Sequence, residues 1–194
     1  RTPLEVAEKA SIIPNQRRAP CSLQLKIKPF TAYIKSMPKP LTVHLGLDFT
    51  EMHRAERPKA EYEKVPGVTV DLPLLWEPVA KPPHRYTVEE WGIETPRLYK
   101  LGFPHNNCGG RCVRQGIKEW LRLKHTFPDR FTEVADWEQE QRAKGGARAD
   151  YAIARDARGG TVKPMPLHDI HIVKGEQLPL GTSNEDVFSC FCSY

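Results

Sequence analysis

Leu41-Thr42-Val43-His44-Leu45-Gly46-Leu47 alternates apolar and polar side chains as a half-buried strand does, and Val68-Thr69-Val70-Asp71-Leu72-Pro73-Leu74 repeats the pattern. Between them runs a charged stretch of helical character from about Arg54 to Lys64, closed by a turn at Pro66-Gly67. Strand, helix and strand with short connections read as a βαβ unit, which predicts a parallel pair and an α/β fold. The same alternation leaves Asp48, Glu51 and Arg54 on the loop just past the first strand. In parallel α/β sheets ligands bind outside the carboxyl ends of the strands, so that loop is placed for a site. Read on chemistry alone, it also fits a solvated loop tied by salt bridges.

Working outward, Leu23, Ile27, Phe30, Ile34 and Met37 recur at helical spacing, with Pro29 marking where the regular helix begins. Lys26 and Lys28 lie at that helix start and supply two cations. Further upstream, Thr2-Pro3-Leu4-Glu5 reads as a capped helix start with a capping box. A helix starting there suggests a chain entered partway through a domain. Downstream, Trp76 to Tyr86 is proline-rich and expected to be a surface loop, and Thr87 to Trp91 a short capped helix. Ile117, Trp120, Leu121, Lys124 and Phe127 predict one amphipathic helix, ended by Pro128-Asp129. Phe131, Val134, Ala135 and Trp137 predict a second, running into the polar Glu138-Gln139-Glu140-Gln141-Arg142. These aromatics read as core. Tyr151 to Arg155 is a candidate strand turning at Arg158-Gly159-Gly160, and the residues after it look irregular.

The chain has 194 residues, enough for one domain with a core or one domain and an appendage. It is 27% charged and 39% hydrophobic, with no apolar run near the ~20 residues of a membrane helix. A soluble protein is expected, with no membrane partner and a cytoplasmic location. Eighteen prolines are roughly twice ordinary usage and predict irregular connections. A net charge of +5 and a pI near 9.0 suit a phosphate-bearing partner. The basic residues are spread along the sequence without an aromatic-interleaved stripe, so nucleic acid is not the favoured partner. No Ser/His/Asp arrangement, HExxH motif or Walker loop is present.

Five cysteines stand at three stations: Cys21, the pair Cys108 and Cys112, and the pair Cys190 and Cys192. Thiolates this close in sequence can reach one metal, and Gly109-Gly110 supply a tight turn between Cys108 and Cys112. A helix from about Arg114 would turn its positive end toward those thiolates, and Arg111 would offset their charge. The set fits an iron–sulfur or zinc site with Cys108 and Cys112 at its centre, and it also fits separate structural thiols. Disulfides fit poorly in a chain that is neither small nor cysteine-dense.

Taken together these segments resemble the phosphoadenosine phosphosulfate (PAPS) reductase family of the PP-loop adenine-nucleotide α-hydrolase superfamily. Cys21-Ser22-Leu23-Gln24-Leu25-Lys26-Ile27-Lys28-Pro29 is similar to its cysteine followed by L/R-K-x-x-P. Gly46 to Arg54 is similar to its G-I/L-R-x-x-E-x-x-R segment. Leu72-Pro73-Leu74-Leu75-Trp76 is similar to P-L-x-x-W, and Leu98-Tyr99-Lys100-Leu101-Gly102-Phe103 to L-Y-x-x-G-Y/F before a cysteine. The resemblance covers roughly residues 1–125, and Tyr151 to Gly160 with Cys190-Phe191-Cys192 looks closest to the phage and mobile-element branch. The family's S-G-G-x-D-S loop is not in this chain; its usual place is upstream of Arg1. The terminal Ser189-Cys190-Phe191-Cys192 departs from the reductases' Glu-Cys-Gly.

The resemblance implies a partial nucleotide-binding α/β domain over 1–105 and a helical, irregular region with cysteine stations over 106–194. It implies an adenine nucleotide such as ATP as ligand. Arg54 would clamp phosphate, Lys26 would supply a second charge, Glu51 would orient Arg54, and Asp48 would complete the wall. It implies ATP pyrophosphatase, adenylylating or sulfur-transfer chemistry, with a sulfur donor or redox protein as partner. A [4Fe-4S] cluster or zinc would draw on Cys21, Cys108, Cys112, Cys190 and Cys192. Two other functions remain open: sulfonucleotide reduction, and a non-catalytic module that binds nucleic acid in a phage or defence system.

Overall fold

The computed structural model describes residues 2–47, 49–76, 88–157 and 159–172. In chain order the main regular elements are α1 (Pro3–Lys9), α2 (Lys28–Ser36), β1 (Leu41–His44), α3 (Glu56–Glu63), β2 (Val68–Asp71), α4 (Arg97–Lys100), α5 (Ile117–Thr126), α6 (Pro128–Ala143), β3 (Ala154–Asp156) and β4 (Lys163–Met165). They form two units, one of residues 22–94 and one in which 2–21 join 95–172. The division therefore falls at 94/95 rather than at 105/106. Its cause is that Leu98 and Phe103 are buried in the same cluster as Trp120, which Ile13 of the N-terminal segment also joins.

In the unit of residues 22–94, β1 and β2 pair in parallel, with Leu41 opposite Val68 and His44 opposite Asp71. The expected parallel pair is present in a mixed helix-and-strand fold, and among the described residues this sheet has two strands. Each flanking element contributes one side chain to its core: Ile34 from α2, Val43 from β1, Tyr62 from α3 and Val68 from β2. The Phe30 ring meets Tyr62 edge-on at 5.5 Å. Burial of such side chains stabilises by about 1.5–3 kcal/mol each, more than a two-stranded ladder supplies alone.

Pro29 acts as its chemistry requires. It has no N–H to continue an α-helical ladder, and the turn before α2 is a π turn over Leu23–Ile27, closed by the Lys28 N–H on the Leu23 carbonyl. Strand β2 is shorter than the alternation suggested. The Leu72 N–H turns to the Asp71 carboxylate at 2.8 Å, and Pro73 opens a 3-10 turn over Pro73–Leu75. Residues 77–87, which include the proline-rich loop beyond Trp76, lie outside the described residues.

The other unit is built on α5 and α6, joined through Phe127 alone, with Pro128 at the start of α6. Helix α6 begins where the preceding residue is forced out of helical geometry, with Phe127 at φ −140°. Trp120 and Leu123 of α5 pack with Phe131, Val134 and Ala135 of α6, and Trp120 stands edge-on to Phe131 at 6.4 Å. The predicted stripe on α5 is shifted by chemistry: Lys124 is exposed, whereas Arg122 is buried. Arg122 is neutralised by Glu119 at 3.3 Å and lies 5.9 Å from the Phe103 ring centroid. The candidate strand after Tyr151 is β3, which pairs antiparallel with β4.

Glu138, at the head of the polar run on α6, is 1% exposed. Its two carboxylate oxygens accept from the Ile153 N–H at 2.5 Å and the Leu167 N–H at 2.6 Å. One side chain thus holds the approach to β3 and the turn after β4 to helix α6. Burial raises its pKa; the N–H groups of Leu167 and Ile153 and the charges of Arg142 and His168 pull the other way.

Candidate functional site

Two polar pairs mark the carboxyl end of the parallel sheet. The first lies in register across the strands: His44 Nδ1 is 3.0 Å from Asp71 Oδ2, with His44 59% and Asp71 26% exposed. The other Asp71 oxygen is fixed by the Leu72 N–H. The aspartate is therefore anchored, and it holds the imidazole by one nitrogen, leaving Nε2 for other partners.

The second pair lies on the segment that leaves β1. Residues Phe49–Arg54 form a 3-10 helix, whose three-residue period brings positions i and i+3 onto one face. There Arg54 Nη1 pairs with Glu51 Oε1, both side chains about a quarter exposed. The Arg54 Nε is buried and has no hydrogen-bond partner among the described residues. A guanidinium held by one nitrogen keeps other donors for an anion, in a planar fork suited to phosphate.

Of the residues expected at a phosphate site, the structure joins Glu51 and Arg54. Lys26 is exposed in the π turn of the same unit, and Asp48 lies outside the described residues. The sequence reading passed over His44 and Asp71 as strand residues. Their signal was present, since each stands fourth in its seven-residue alternating run and equal offsets in a parallel pair place them opposite.

The cysteine stations are only partly described. Cys108 is exposed with φ +50° and begins a 3-10 turn through Gly109 and Gly110, at φ +61° and +83°. The expected tight turn is present. It is held by neighbours: Arg130 donates to the Gly109 carbonyl at 3.1 Å and the Gln115 side chain to the Gly110 carbonyl at 3.0 Å. Gly110 has a second role, because a Cβ there would lie 3.1 Å from Leu123 Cδ1 and 3.2 Å from Phe103 Cε1.

Helix α5 starts at Ile117 rather than about Arg114, because Gly116 is its N-cap, so its positive end does not follow Cys112 directly. Arg111 pairs with Glu133. Cys21 is half-buried against the core of its unit, and Cys112 is half-buried as well. Among the described residues no three His, Cys, Asp or Glu side chains are grouped to hold a metal. Cys21, Cys108 and Cys112 by themselves therefore do not fit a cluster or zinc centre. Cys190 and Cys192 lie outside the described residues.

Comparison with known proteins finds no matching family model, curated protein or solved structure. Among the described residues no helix is long and apolar enough to cross a membrane.

Proposed function

We propose that this protein binds an adenine nucleotide by its phosphates at the carboxyl end of β1 and β2, and acts on it as a PP-loop-type ATP pyrophosphatase, adenylylating or sulfur-transfer enzyme. The observation that carries the reading is the Glu51–Arg54 pair on the turn leaving β1 of a parallel β1–α3–β2 unit. The four ordered sequence motifs supply the choice of nucleotide.

Arg54 offers its free donors to phosphate oxygens, and Glu51 fixes the guanidinium rather than meeting the phosphate, which would repel a carboxylate. His44, held at Nδ1 by Asp71, presents Nε2 for proton transfer at the same strand end. Chemistry at phosphorus asks mainly for such positioning and charge.

The test is titration calorimetry with ATP on the wild type, Arg54→Ala and Glu51→Gln. Loss of a charge-assisted contact of about 1.5–3 kcal/mol weakens ATP binding about tenfold to a hundredfold in Arg54→Ala. Glu51→Gln, which keeps the guanidinium, costs less. Equal affinity of Arg54→Ala and the wild type overturns the reading.

A further inference from the structure

Arginines far apart in sequence meet in the unit formed by residues 2–21 and 95–172. A cleft of 570 Å³ is lined by Arg17, Arg18, Arg148 and Arg155, together with Asn15 and Tyr151, and among the described residues no acidic side chain lines it. Arg17 and Arg18 are exposed, and Arg148 and Arg155 half-buried. Among the described residues none of the four guanidinium groups is joined to a carboxylate by an ion pair. Glu8 feels the charge of Arg148, but it is already engaged by Lys144 and Gln141.

The cleft is built rather than incidental. Asn15 is 7% exposed, and its Oδ1 accepts from the backbone N–H groups of both Arg17 and Arg18, at 3.0 and 3.1 Å. Paired main-chain bonds between Asn15 and Arg18 close the same turn. This buried amide thus sets two adjacent arginines on one rim. On the other side, the residues before and within β3 carry Arg148, Tyr151 and Arg155, with the Tyr151 carbonyl held by Arg142. Tyr151 is 53% exposed, an aromatic ring left at the surface of a cationic cleft.

Four like charges gathered without an ion-pair partner among the described residues raise their own free energy, and an anion relieves it. A single buried anion would call for arginines converging out of solvent. These lie along an open cleft on two chain segments, as the repeated phosphates of a strand require, and the exposed ring gives a base a face to stack on. We infer that this cleft binds the phosphate backbone of a single-stranded nucleic acid, with Tyr151 stacking against a base. The site is separate from the nucleotide site proposed on residues 22–94.

Fluorescence anisotropy with a labelled twelve-residue oligothymidylate tests it, with titrations over a range of salt on the wild type, Arg148→Gln/Arg155→Gln, Arg17→Gln/Arg18→Gln and Arg54→Ala. Wild-type affinity is expected to fall with salt at a log–log slope near −2 to −3, from about −0.7 per phosphate contacted. Either arginine pair, once removed, weakens binding at least tenfold and flattens the slope by about 1.4. Tyr151→Ala weakens binding with little change of slope.

Arg54→Ala binds the oligonucleotide as the wild type does while losing ATP, so the two sites fail or stand independently. Circular dichroism confirms that the variants are folded, and the two arginine pairs sit on different segments, so one misfolded variant does not decide the test. No binding at low salt, or wild-type affinity in both arginine variants, overturns the inference. So does ATP binding that depends on the cleft arginines without any binding of the oligonucleotide.

Discussion

Glu138→Ala is the perturbation that most sharply tests how the larger unit is held together. The carboxylate satisfies two buried backbone donors, those of Ile153 and Leu167. Removing it strands both, at about 1–3 kcal/mol each, so the expected loss is about 2–6 kcal/mol. Glu138→Gln keeps one acceptor oxygen but turns an amide donor toward the other N–H, for an expected loss of about 1–3 kcal/mol.

The two variants also differ from the wild type in pH dependence. Burial raises the folded carboxyl above its ordinary 4.5, so the folded state binds the proton more tightly than the unfolded one. This group's contribution to stability is then greatest below the unfolded value, and it falls as pH rises through the raised folded value. Glu138→Gln lacks that titration, so the wild type should gain on it as pH is lowered from neutral toward 4.5. Urea unfolding followed by circular dichroism measures the free energies, and native-state hydrogen exchange reads the Ile153 and Leu167 amides directly. A Glu138→Ala protein within about 0.5 kcal/mol of the wild type, with both amides equally protected, would refute the reasoning.

Gly110→Ala should cost about 1–3 kcal/mol in urea unfolding, because its φ of +83° and its approach to the buried Leu123 both resist a Cβ. Gly109→Ala should cost less, since its φ of +61° is in the left-handed well and its nearest neighbour is the Arg130 Nη1 at 3.4 Å. Equal costs would remove the packing argument. Thr2→Ala should lose the capping box of α1, in which the Thr2 hydroxyl accepts from the Glu5 N–H at 3.2 Å, and destabilise by about 0.5–2 kcal/mol. Unchanged exchange of the first-turn amides would speak against it.

The parallel pair, the α5–α6 pair and the capped first helix were legible because each rests on a local period or a local cap. What sequence hid was carried by long-range packing. Glu138 opens a polar run, yet it follows Phe131, Val134 and Ala135 by seven, four and three positions, in line with the buried stripe. A carboxylate on such a stripe needs partners, and Ile153 and Leu167 are found only once the chain folds back. Arg122 took an interior place that the pattern gave to Lys124, because its guanidinium has Glu119 and the Phe103 ring to cover it. The cleft arginines looked scattered along the chain because the turn at Asn15 and the segment before β3 meet only in three dimensions. Of the candidate site, the Glu51–Arg54 pair could be read from its three-residue spacing, whereas the His44–Asp71 pair needed the strand register.

The most direct measurement is hydrogen exchange by mass spectrometry on the full chain with and without ATP, repeated on Arg54→Ala. Binding at the carboxyl end of β1 and β2 predicts slower exchange in residues 45–54, lost together with ATP affinity in the variant. ATP binding that leaves residues 45–54 unprotected, or protection that persists in Arg54→Ala, would contradict it.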